Sequence, residues 1–119
     1  MDLSLVKPRY ANARELFEAM RKAVSNNSGE KERVFSAFSS LNGYEKDEVE
    51  KIFENTERYF DVVKKTEEGL HRATRERNIE AYLSAARKLE KLYECGRRGE
   101  YEGNKIFTYG EIKMAGKNF

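Results

Sequence analysis

The chain has 119 residues, 39% of them hydrophobic and 37% charged, with a formal net charge of +2. That length suits a single domain, and the interleaving of apolar with charged residues excludes wholesale disorder. Near-balanced charge excludes a globally basic nucleic-acid binder, so any binding of that kind must rest on a local patch.

Residues 1–7 read as a short lead-in, and Pro8 suits the first turn of a helix, where its missing N–H costs nothing. Ala13, Leu16, Phe17, Met20, Ala23 and Val24 then recur at spacings of three and four, one apolar stripe on an amphipathic helix. The run SNNSG, residues 25–29, ends it. Asn27 or Ser28 caps a second helix, with Glu30 placed three residues after Asn27 as in a capping box. Val34, Phe35, Phe38 and Leu41 give its stripe, and Gly43 supplies the left-handed stop.

The third segment carries the strongest pattern. Val49, Thr56, Val63 and Leu70 are seven apart, Ile52, Tyr59, Thr66 and Ala73 form a companion row, and Phe53 and Phe60 widen the seam. The repeat predicts a long helix over about residues 45–76. Gly69 lies inside it and weakens its last turns by roughly 1 kcal/mol relative to Ala. Asn78 then caps a fourth helix, with a stripe of Ile79, Tyr82, Leu83, Ala86, Leu89 and Tyr93, and Gly96 reads as its stop. Because Asn78 marks a restart, the two long helices are expected to fold back as an antiparallel hairpin.

Residues 97–119 differ from the rest. They hold four of the eight glycines and no helical period; KIFTY has strand character and EGN reads as a turn. The expected fold class is therefore an all-α small helical bundle of about four helices, two of them long and antiparallel. The bundle spans residues 1–96, and 97–119 form an irregular C-terminal arm. That arm either packs on the bundle or orders on a partner.

The stretch GLHRATRERN, residues 69–78, concentrates the questions of chemistry. Carboxylates early in the third helix and cations late in it suit the macrodipole, so a solvated helix end accounts for the run. The sharper reading is an anion site for nucleic acid built from Lys64, Lys65, Arg72, Arg75 and Arg77, with Arg97 and Arg98 joining if the hairpin closes to bring them near. Glu68 and His71 have the Glu-x-x-His spacing of di-iron bundles, but such a site needs two of these motifs, and the chain has one histidine. No metal and no cofactor is expected. Cys95 has no partner for a disulfide and no second histidine to build a relay, so no catalytic residue is assigned. No glycine run has a phosphate-binding form.

In the arm, Tyr101, Phe107, Tyr109 and Phe119 are interleaved with lysines. Aromatic and basic residues together suit a protein hot spot or a stacking surface, so these four are the expected partner-binding residues. The N-terminus lacks the apolar run of a signal peptide and no window approaches the roughly 20 apolar residues of a bilayer span. The expectation is a cytoplasmic, non-enzymatic interaction protein with no membrane contact. It would be a small helical subunit of a larger complex that can contain nucleic acid, with a protein partner and with homodimerisation through the long helix open to it. A virus- or phage-encoded inhibitor binding a host protein has the same signature. A helical enzyme or ligand-binding bundle is the third reading; it requires a buried polar constellation.

Overall fold

The computed structural model describes the backbone of residues 3–117 and the side chains of residues 12–117. Over the described residues it is an all-α bundle of five helices with one two-stranded hairpin: α1 Leu3–Asn26, α2 Ser28–Asn42, α3 Lys46–Arg75, α4 Ile79–Arg98, β1 Glu100–Tyr101, β2 Asn104–Lys105 and α5 Tyr109–Gly116.

The boundaries follow local chemistry. Asn27 caps α2 by accepting from the N–H groups of Gly29 and Glu30, and Gly43, at φ 75°, ends that helix in the left-handed conformation. The Asn78 side chain accepts from Ala81 N–H at 3.1 Å and starts α4. Two expected boundaries move. Helix α1 begins at Leu3, and Pro8 sits within it, where its missing N–H removes one bond near the free end. Helix α4 runs through Gly96 to Arg98 and is stopped by Gly99 at φ 80°. Gly96 serves close packing instead: a Cβ there would fall on the phenol of Tyr109.

The heptad seam of α3 is the middle of the core. Val49, Ile52, Phe53, Thr56, Tyr59, Phe60, Val63, Thr66 and Ala73 are all buried. Helix α1 runs antiparallel along it. Phe17 packs on Phe53 and Phe60 at centroid distances of 4.9 and 5.0 Å, and Arg14 and Arg21 reach Glu67 and Glu57. Helix α4 packs antiparallel on its other side, where the Tyr59 hydroxyl donates to Leu92 O at 2.6 Å. The seam offered above as a dimer contact is thus occupied within the chain.

The arm takes the first of its two expected courses and packs on the bundle, but it is a hairpin and a helix and not irregular. Glu102 and Gly103, at φ 51° and 77°, make the two-residue turn of a tight hairpin, with Glu100 opposite Lys105 and Tyr101 opposite Asn104. The chain then re-enters the bundle. Ile106 is fully buried, Phe107 is 1% exposed, and its ring stacks on Phe38 at 3.9 Å. Thr108 and Glu111 form a reciprocal capping box that starts α5, whose Ile112 and Ala115 are buried where it packs against α1 and α2. Residues 97–117 therefore complete the core. A helix of 8 residues shows too few turns for its period to stand out in sequence.

Candidate functional site

The residues expected in one anion site are not gathered in one place. Antiparallel closure of α3 and α4 puts Arg97 and Arg98 at the opposite end of α4 from Arg77, about 30 Å away along a helix of this length. Arg97 is also engaged, since its guanidinium donates twice to Glu94 at 3.1 and 2.8 Å. That contact holds the Glu94 carboxyl below its usual range. Lys64 and Lys65 are consecutive on a helix and so point about 100° apart. Lys65 lines a shallow groove between α3 and α4 with Val62, Thr66, Gly69, Ala85 and Lys88. Arg75 falls in the row of Asp61 and Glu68, seven residues apart, and Arg77 stands in the reversal at φ 54°. Of the expected set, Lys65 and Arg72 on α3 share the face beside α4, and Arg98 lies at its far end on α4.

That face is more basic than the expected set. Lys51, Arg58, Lys65 and Arg72 are spaced by seven, and an α-helix drifts only about 20° per heptad, so they form one row along α3. All four are exposed. On α4, Arg87, Lys88 and Lys91 occupy its outer side together with Glu80 and Ser84, and Arg98 follows Lys91 by seven. Because Lys65 and Lys88 line the same groove, the two rows lie side by side. The result is a face with eight exposed cations from two helices.

Four cations on α1 and α2 are held in ion pairs. Arg14 pairs with Glu67, Arg21 with Glu57 and Asp61, Lys31 with Glu50 and Arg33 with Glu30. Among the described residues none of the eight on the α3–α4 face is in an ion pair; Arg58 donates to the amide oxygen of Asn55 at 3.0 Å. At Lys65 the competing contact is visible. Its natural helical partner, Asp61 at i−4, is held by Arg21 from α1 at 2.9 Å. The sequence signal for this row is the seven-residue spacing of like charges, a period already evident in the apolar seam, which a contiguous run such as 69–78 does not display. The α4 cations gave no run at all.

The expected partner-binding aromatics have other work. Phe107 and Tyr109 are 1% and 8% exposed, so a docking surface cannot be built from their rings. Tyr101 is half-buried against Tyr59, at 5.7 Å between ring centroids, and Phe119 lies outside the described residues. Interleaving with lysine is also what an amphipathic segment shows when its aromatics turn inward. The buried polar groups are committed as well. The Tyr109 hydroxyl donates to Tyr93 O at 2.9 Å and lies 3.1 Å from the Tyr59 hydroxyl, and Thr56 Oγ1 accepts from Phe107 N–H at 3.0 Å. Among the described residues no buried side-chain nitrogen or oxygen lacks a partner. His71 is exposed, and among the described residues no three His, Cys, Asp or Glu side chains gather as metal ligands. Cys95 is half-buried against the core.

No protein-family model matches the chain, and comparison with curated proteins and with solved structures finds no match.

Proposed function

We propose that this chain is a non-enzymatic interaction subunit that binds nucleic acid through the α3–α4 face and acts within a larger assembly. The observation that carries the reading is the gathering of eight exposed cations from two adjacent helices on one face, none of them in an ion pair among the described residues. Cations without intramolecular partners are the ones whose counterions a polyanion can release, which is the main source of sequence-independent affinity.

The test is fluorescence anisotropy with labelled nucleic acid and two charge reversals. Lys65→Glu with Lys88→Glu should weaken binding at least tenfold. Lys22→Glu with Lys64→Glu, exposed residues away from that face, makes the same change in net charge and should leave affinity within about twofold. Equal losses from both pairs would reduce the effect to overall charge and remove the site.

A protein partner is the second reading, and one observation favours it. Ile79, Tyr82 and Leu83, in the first turns of α4, are 74%, 43% and 47% exposed and continue the stripe that Leu89 and Tyr93 bury further along. Ile79→Ser with Leu83→Ser should then abolish co-purification of a partner while leaving the helical content unchanged. Retention of the partner would exclude these turns as its dock.

A further inference from the structure

We infer that the ligand of the α3–α4 face is a nucleic-acid duplex, gripped by its phosphates without sequence preference and without base stacking. This rests on the nucleic-acid reading above and narrows it to a substrate class.

Three features of the face lead there. The first is rigidity. Helix α3 is unbroken from Lys46 to Arg75, and its cation row from Lys51 to Arg72 spans about 32 Å. A straight, preformed row matches a stiff ligand; duplex DNA bends appreciably only over lengths near 150 base pairs. At about 3.4 Å per step the row covers roughly 9 base pairs. A single strand must instead be ordered along the row, a cost that its binders offset by stacking bases on aromatic rings.

The second feature is the absence of such rings among the described residues of the face. Among the described residues, Phe17, Phe38, Phe53, Tyr59, Phe60 and Phe107 are buried to within a few per cent. Phe35, Tyr44 and Tyr101 pack against that core. Tyr82 is exposed, but it precedes Lys88 by six residues and so lies about 120° around α4 from it, off the cation face.

The third is width. Two packed helices have axes 8–10 Å apart and are each about 10 Å across, so the pair is roughly 20 Å wide. The major groove of B-DNA, about 12 Å wide, admits one helix and not two side by side. The face therefore rests on the groove's banks, where the phosphates are, and cannot reach base edges.

The experiment is anisotropy of the full chain with four labelled probes: two DNA duplexes of unrelated sequence, each about 20 base pairs, an RNA duplex of the same length, and single-stranded oligo-dT. Salt is varied from about 50 to 200 mM. At least one duplex type should bind tenfold or more tighter than oligo-dT, and the two DNA sequences should agree within about twofold. The slope of log affinity against log salt should not exceed about 7, the limit for eight phosphates, and Lys65→Gln or Lys88→Gln should each reduce it by about 0.9. The RNA arm assigns the duplex as A-form or B-form. Oligo-dT binding as tightly as the duplexes, or a tenfold difference between the two DNA sequences, would overturn the inference and leave nucleic-acid binding standing. Failure to bind any of the four probes would overturn both.

Discussion

The same substitution at two glycines of this bundle should have opposite effects. Gly69→Ala adds a methyl group inside α3, two turns before its end, where nothing lies within 4 Å of the new Cβ. The gain is the ordinary helix-propensity difference, about 0.8–1 kcal/mol. Gly96→Ala makes the same change inside α4, but its Cβ would fall on Cε1, Cζ and the hydroxyl of Tyr109. The propensity gain is the same. Against it, the ring must retreat by about an ångström to regain normal carbon–carbon separation. Overpacking of that kind costs about 1–3 kcal/mol. Displacement also loosens the hydrogen bond from Tyr109 to Tyr93 O, at about 0.5–1.5 kcal/mol. The net expectation is a loss of about 1–3 kcal/mol at position 96 and a gain of nearly 1 at position 69. For a chain of this size the two variants should bracket the parent in thermal unfolding, separated by roughly 10 °C. Gly96→Ala melting at or above the parent temperature would refute the placement of the Tyr109 ring on Gly96, because the clash depends wholly on where that ring sits.

Two further outcomes test how the C-terminal residues are held and how the core responds to pH. Thr56→Val removes the one acceptor of the buried Phe107 N–H and should cost about 1–3 kcal/mol in urea denaturation. Thr66→Val should be near neutral in the same assay, since its hydroxyl bonds only to Val62 O in its own helix; equal losses would refute the role given to Thr56. Burial, as the largest cause, raises the phenols of Tyr44, Tyr93, Tyr101 and Tyr109 above the usual tyrosine value, and Glu111 adds to the effect at Tyr44. Each binds its proton more tightly folded than unfolded, so their stabilisation is complete below pH about 10 and is lost as pH rises beyond it. Urea midpoints should be flat up to about pH 9.5 and then fall, with phenolate absorbance appearing together with unfolding. Ionisation of all four in a chain that stays folded would contradict their burial.

Four of the five helices were legible because each carries its own period and its own punctuation. The heptads of α3 mark a seam that the structure buries from Val49 to Ala73, and Asn27, Gly43 and Asn78 stand at the helix ends where capping chemistry puts them. What escaped detection depends on contacts between distant segments. Gly96 resembles a helix stop until Tyr109, thirteen residues later, is known to lie on it. The aromatics of KIFTY resemble a binding surface until Phe38, from α2, is known to stack on Phe107. Helix α5 begins at a good capping box, T-x-x-E at 108–111, but its two turns are too few to show a period.

The candidate site was half legible for a related reason. On α3 an acidic row of Asp47, Glu54, Asp61 and Glu68 precedes the basic row of Lys51, Arg58, Lys65 and Arg72 by four residues throughout. In an isolated helix these are four well-oriented i,i+4 pairs, and the basic row would be judged neutralised. Packing changes that conclusion. Helix α1 lies on the acidic side and brings Arg21 to Glu57 and Asp61, while α4 lies on the basic side and adds Arg87, Lys88 and Lys91. One flank of α3 therefore gains cations from α1 that compete for its carboxylates. The other gains cations from α4 with few carboxylates to match them: Glu80 near the hairpin tip, and Glu94, which Arg97 holds. Segregation of charge across the bundle is thus a product of which helix packs on which side, and a chain with a net charge of only +2 can present a concentrated basic face without any basic run in its sequence.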